Sequence, residues 1–327
     1  MEPTDSATES ALLKRVDHGL EIAVREAGLE WQDERNRTKR EKYQFFAVRD
    51  NSEELPITYS WFRYGISAIA TNIDQSLEIH DSDPEILHMG EEEIADYYLE
   101  ELEGMELTEW WPNDVTVLDF LTEFYEIECP PEIKDIYLAN MELRKILEDR
   151  ILHRINSGAG TVPEDDYKDL QEQILLMQTE LASDQGDSVF TSEIDLADLY
   201  DDFLLYSDIL EEVVLASTKR DDLSPSGPEY AAISKLKNVF DSTVWPYITC
   251  VISARTGQGP NAEIVESLAQ GKFQQVEDDW SQEMKSVKRK RDEADLYTDI
   301  EDYSNKDEEG ASSKVDELMD VIDGHGR

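Results

Sequence analysis

The sequence predicts a mostly α fold, a multi-helix bundle with a helical N-terminal region and a smaller C-terminal helical module. Three observations lead there. Apolar residues recur at i, i+3 and i+4 through most of the chain, the period of one helix face. Most prolines and glycines fall between those periodic segments. Hydrophobic residues make up 39% of the 327 residues, enough to build a core and to exclude wholesale disorder.

Ser10 is placed to cap a first helix carrying Leu12, Leu13, Val16, Leu20, Val24 and Ala27, with Gly28 as its stop. A second helix runs from near Trp31 to about Val48 and carries Tyr43, Phe45 and Phe46. A turn from Asn51 to Pro56 leads into an aromatic stretch, Ile57 to Ile66. Asp81 to Pro84 reads as a helix entrance, and Ile86 to Leu102 as helical. Trp111-Pro112 is a boundary, because proline disfavours helix at the residue before it, and Asn113 or Asp114 is placed to cap the next helix. Val117, Phe120, Leu121, Phe124 and Tyr125 then share one face, before Pro130-Pro131 ends that helix and seats another.

A long amphipathic helix extends from Ile133 to Ile155, up to the break at Gly158-Ala159-Gly160. Two more are expected, one on Tyr167, Leu170, Ile174, Met177 and Leu181, the other from about Ser192 to Ala216. Leu223 to Pro228 has linker composition. Tyr230 to Ile252 reads as a helix kinked at Trp245-Pro246, with a strand as the alternative, and Asn261 to Lys290 as helix. The segments group into an N-terminal helical region (1–111), a central helical bundle (112–223) and a C-terminal helical module (224–303). Residues 304–327 form an acidic tail, expected to be flexible, with a short amphipathic helix.

Charge sets the environment. Asp and Glu number 76 against 30 Lys and Arg, a formal net charge of -46. Self-repulsion of that size opposes a compact state at low ionic strength. At molar salt the Debye length falls to about 3 Å and most of that repulsion is screened. Acidic excess in nearly every segment predicts a salt-adapted protein; a mimic of nucleic-acid phosphates would gather its carboxylates on one face. Cys129 and Cys250 stand far apart and outside any CxxC spacing. That excludes a zinc site built from thiolates and argues against a disulfide framework, so both are expected to be buried thiols. The start, Met1 to Asp5, is acidic, and no apolar run approaches the roughly 18 to 20 residues needed to span a bilayer. The expected location is the cytoplasm, away from any membrane.

Chemistry-bearing patterns are sparse. His80, Asp83 and His88, with Asp81 and Glu85 between them, offer imidazole and carboxylate ligands within nine residues, though no HExxH spacing accompanies them. Gly257-Gln258-Gly259 lacks the further glycines of a dinucleotide loop and the Lys of a P-loop. No GxSxG is present, and no cofactor is expected. Two basic clusters break the acidic pattern. One is Arg35, Arg37, Lys39, Arg40 and Lys42, followed by aromatic residues; the other is Lys285, Lys288, Arg289, Lys290 and Arg291. Such clusters are candidates for phosphate contact, against the pull of the net charge. The plainer reading pairs them with neighbouring carboxylates, for instance Arg291 with Glu283 or Asp295. Val315, Leu318, Met319 and Ile322 form a stripe suited to a protein partner or to docking on the chain's own domain.

The stretch Tyr43 to Asp50, followed by Pro56-Ile57-Thr58-Tyr59 and Phe62-Arg63-Tyr64-Gly65, resembles the opening of the SocA/Panacea type of antitoxin domain. Ile66 stands where that family usually has proline. The similarity covers about 25 residues and implies an adaptor or neutralising role without catalysis, with an aromatic strand or helix after the Pro-Ile-Thr turn. The bulk composition resembles that of haloarchaeal proteins. Together these readings predict a non-catalytic interaction or regulatory protein with a protein partner. A DNA-associated protein is the first alternative, and an enzyme or metal-binding protein the second.

Overall fold

A computed structural model describes residues 8–31, 36–63, 65–71, 77, 89–158, 160–183, 196–221 and 223–296. The fold is mostly α, as the periodicity predicts. Its helices are α1 (Glu9–Glu26), α2 (Arg37–Asp50), α3 (Glu91–Asp96), α4 (Leu107–Trp110), α5 (Val117–Glu128), α6 (Pro131–Lys145), α7 (His153–Asn156), α8 (Glu164–Ser183), α9 (Leu196–Thr218), α10 (Pro228–Val239), α11 (Trp245–Thr256) and α12 (Ala262–Glu293). Wider π-helical turns at Tyr97–Glu101, Ile146–Leu152 and Phe240–Val244 follow α3, α6 and α10. Within the aromatic stretch, β1 (Tyr59–Phe62) and β2 (Gly65–Ala68) form an antiparallel hairpin with Trp61 opposite Ile66. The chain falls into two compact units. One comprises Met1–Arg144, Gln173–Leu204 and Val239–Glu283, the other Lys145–Glu172, Leu205–Asn238 and Met284–Arg327.

The first unit is built around aromatic rings. Tyr43 and Phe46 of α2 pack on Phe120 and Phe124 of α5, and Trp61 of β1 continues the cluster to Tyr137 of α6, whose ring meets Trp245 of α11 at 5.1 Å. These rings are almost wholly buried, and offset or edge-on contacts add to the burial of their area. Helix α1 presents Leu12, Leu13, Val16, Leu20 and Val24 to this unit, the face read from the sequence. Its stop is also as expected. Gly28 sits at φ 74°, and the N–H groups of Gly28 and Leu29 return to the carbonyls of Arg25 and Val24, satisfying the end of the helix.

Two caps differ from expectation. Thr8, not Ser10, caps α1 by accepting from the Ala11 N–H, because the helix begins one residue before Ser10. Thr116, not Asn113 or Asp114, caps α5, its Oγ1 accepting from Asp119 N–H at 3.1 Å. At the expected kink, Trp245-Pro246, the structure has a π-helical turn followed directly by α11. Pro246 has no N–H to give, and the π turn over Phe240–Val244 carries the Trp245 N–H back to the Phe240 carbonyl, so the helix runs on into α11. Helix is the outcome there, not strand.

In the second unit Leu147, Ile151 and Ile155, Tyr167 and Leu170 of α8, Ile209 and Val213 of α9, and Ile233 and Leu236 of α10 are buried. Tyr206 donates to the Leu236 carbonyl at 3.0 Å, tying α9 to α10. Arg150 bridges Asp166 and Asp169, and Arg220 pairs with Glu229. Both cysteines are free and buried.

Candidate functional site

The hairpin between Phe62 and Ile66 is held from below by three buried donors. The Tyr137 hydroxyl donates to the Phe62 carbonyl at 2.7 Å, Trp245 Nε1 to the Arg63 carbonyl at 2.6 Å, and Lys42 Nζ to the Ile66 carbonyl at 2.7 Å. Gly65 completes the turn at φ 83°. A Cβ there would stand 2.8 Å from Tyr125 Cε1 and 3.3 Å from Lys42 Cε, so the position excludes a side chain on both conformational and steric grounds.

The other edge of the hairpin is fixed by the chain leaving α11. Ser60 Oγ donates to the Ser253 carbonyl, Thr256 Oγ1 accepts from Trp61 N–H, and Tyr59 and Gln258 exchange backbone hydrogen bonds at 2.9 Å. Glycines 257 and 259, too few for a phosphate loop, serve this contact: at φ 105° Gly259 runs so close to β1 that a Cβ would meet Thr58 Cα at 2.7 Å. The buried Glu9 carboxylate accepts from Thr58 N–H, Thr58 Oγ1 and Asn261 Nδ2, joining α1, the hairpin and the entrance of α12.

Above this support lies a cleft of about 420 Å³. It is lined by Arg37 and Glu41 of α2, Arg63 and Ser67 of the hairpin, and Thr249 and Ser253 of α11. Lys272 of α12 stands at the rim, its ammonium 5.7 Å from the centre of the Phe62 ring. Three cations and one carboxylate therefore line a concavity in a chain whose formal charge is -46. Arg37 Nε holds Glu41 at 3.1 Å, while Lys272 makes no ion pair among the described residues. Cys250 also faces the cleft; burial pushes its thiol up to about 11, against the pull of Lys272. At neutral pH it is a thiol and a poor nucleophile. The Thr249 and Ser253 hydroxyls donate within their own helix, to the carbonyls of Pro246 and Cys250, which leaves their oxygens as acceptors.

The structure separates the members of each basic cluster. Lys39 and Lys42 are buried, 1% and 0% exposed. Lys39 Nζ donates to the carbonyls of Trp110, Trp111, Pro112 and Val115, closing the end of α4 with a cation. Burial lowers both lysines to about 8. Arg40 pairs with Asp17, and among the described members of this cluster Arg37 lines the cleft. Arg35 lies outside the described residues. In the second cluster Arg289 and Lys290 pair with Glu293, and Arg291 with Glu212 and Asp292. Lys285 is exposed and Lys288 half-buried on α12, without an ion pair among the described residues.

His80, Asp83 and His88 lie outside the described residues, as do Val315, Leu318, Met319 and Ile322. Among the described residues no group of three or more His, Cys, Asp and Glu side chains is placed to hold a metal ion. None of their helices is long and apolar enough to cross a membrane. Sequence reading singled out Arg37 but not Arg63, Lys272, Ser67, Thr249, Cys250 or Ser253. Lys272 stands alone in an unremarkable helical segment, and only the fold carries it to Phe62.

Comparison with known proteins adds a family. No curated protein and no solved structure matches the chain. Residues 1–85 and 67–322 match the domain of unknown function DUF8098, and since the matched residues span nearly all of its length, the chain belongs to that family.

Proposed function

We propose that this is a non-catalytic regulatory protein of a salt-adapted cytoplasm, acting by recognition of a ligand in the cationic cleft and relaying its presence to a protein partner. The observation that carries the reading is the convergence of Arg37, Arg63 and Lys272 in one cleft of a strongly acidic chain, on a hairpin already fixed by Tyr137, Trp245 and Lys42. Preformed concavity with a few placed polar groups is the usual character of a small-ligand site. Binding is favoured over chemistry by the state of the groups present. The Cys250 thiol is protonated, no imidazole is among the described lining residues, and both α11 hydroxyls donate to backbone carbonyls of their own helix. The DNA-associated alternative draws less support, since Lys39 and Lys42 are inside the fold and a duplex meets little of the first cluster.

Equilibrium dialysis of the full chain in molar KCl, against the small-molecule extract of a salt-adapted cell, tests this reading. We expect mass spectrometry to find a compound retained by the wild-type protein, lost by Lys272→Glu, and returned unchanged. Conversion of the retained compound during incubation would overturn the non-catalytic reading. Equal retention by the variant would overturn the cleft as its site.

A further inference from the structure

We infer that the ligand of the cleft is a small organic phosphate monoester, held by Arg37, Arg63 and Lys272 with its organic part against Phe62 and Pro246. The inference rests on the reading of the cleft as a recognition site and goes one step further, to the class of ligand.

Charge gives the first argument. Among the described lining residues three cations stand against one carboxylate, that of Glu41, a formal excess of two positive charges. A phosphate monoester carries about -1.5 to -2 at pH 7 and three strong acceptor oxygens. It matches that excess, where a monoanion leaves half of it unanswered.

The salt supplies the second argument. In molar KCl the Debye length is about 3 Å, so attraction at a distance contributes little and chloride competes for every exposed cation. A site that works there depends on contact, through several charge-assisted hydrogen bonds made at once. Guanidinium groups provide this, each presenting a planar fork that grips two phosphate oxygens in parallel. Two arginines from different elements, Arg37 on α2 and Arg63 on the hairpin, bracket the cleft. The Arg63 backbone is pinned through its carbonyl by Trp245, so its side chain starts from a fixed root.

Size and lining decide against a bare inorganic ion. A volume of about 420 Å³ falls within the roughly 300 to 1,000 Å³ typical of sites for organic ligands. Phe62 and Pro246 give an apolar wall, and Ser67, Thr249 and Ser253 present hydroxyl oxygens suited to the alcohol groups of a sugar or polyol.

Isothermal titration of the full chain in molar KCl separates the possibilities, with ribose 5-phosphate, ribose, inorganic phosphate and succinate as probes. The expected result is saturable binding of ribose 5-phosphate, at least ten-fold tighter than inorganic phosphate or succinate, and none of ribose. Lys272→Glu and Arg37→Glu, both exposed positions outside the core, should each weaken it at least ten-fold with the helical circular-dichroism signal unchanged. Affinity should also fall as pH drops through about 6, where the phosphate takes up its second proton. Among the described residues the charged and titratable groups lining the cleft are Arg37, Glu41, Arg63, Cys250 and Lys272, and none of these is an imidazole that titrates near that pH. Equal binding of succinate would overturn the phosphate, equal binding of inorganic phosphate the organic part, and variants that bind like wild type the site itself. If every probe fails while equilibrium dialysis still retains a compound lost in Lys272→Glu, the ligand class is wrong and the cleft stands. If both fail, the cleft reading falls with it.

Discussion

Lysine is the residue type that the sequence misplaces here. Read from composition, Lys39 and Lys42 belong to a surface patch, because lysine is almost never fully buried without partners. Both have partners that no local pattern announces: four carbonyls after α4 for Lys39, and the Ile66 carbonyl for Lys42. The phenyl faces of Phe120 and Phe124 lie 5.7 and 5.9 Å from the two ammonium groups. Their titration gives a signed prediction. Below about pH 8 each lysine is charged in both the folded and unfolded chain, so the cost of burying the charge is constant. Between about 8 and the ordinary 10.5 the folded lysine has lost its proton and the unfolded one keeps it, so stability rises with pH. For Lys42 the full difference is worth on the order of 3 kcal/mol. Thermal unfolding in molar KCl should therefore move upward by several degrees from pH 8 toward pH 10, and Lys42→Met should remove its share of the rise. A flat profile in the wild-type protein would contradict the buried charge. Above pH 10 the trend reverses, because burial raises Tyr43, Tyr98 and Tyr137 and they ionise only in the unfolded chain.

Elements were the most readable level, and their ends the least. The apolar face of α1, the breaks at Gly28, Trp111-Pro112 and Pro130-Pro131, and the helix at Trp245-Pro246 result from periodicity and from the effect of proline and glycine on a backbone. The caps were not legible in this way, since Asn113, Asp114 and Thr116 all carry acceptor side chains within four residues and only the actual first turn selects one. This choice has a measurable consequence. Thr116→Ala should lower unfolding free energy in denaturant titrations by about 1 kcal/mol, and Asn113→Ala by less than about 0.5 kcal/mol. The reverse order would mean that α5 starts earlier. The cleft was legible only in part. Arg37 lay in a visible cluster, but Arg63 and Lys272 are more than 200 residues apart in sequence, and nothing in either neighbourhood points to the other.

At the scale of the whole molecule, acidic residues outnumber basic ones by 46, and many of the cations already pair with a carboxylate or lie inside. Neutralising the remaining repulsion falls to the solvent. Helicity measured by circular dichroism should therefore grow with KCl and plateau near molar concentration. Full helicity in dilute buffer would remove the case for salt adaptation, while leaving the cleft untouched.

The hairpin turn also dictates when during synthesis the protein becomes competent. Its three carbonyls wait for donors 24, 75 and 182 positions further along or back in the chain. Loop closure over such distances is slow compared with forming a helix, so the turn is completed late. In a nascent chain that ends before α6, the donors for the Phe62 and Arg63 carbonyls have not yet been made. Tyr137 arrives first, Trp245 next, and Lys272 only after most of the polypeptide has left the ribosome. The described cationic lining of the cleft is therefore complete only once α12 has been made.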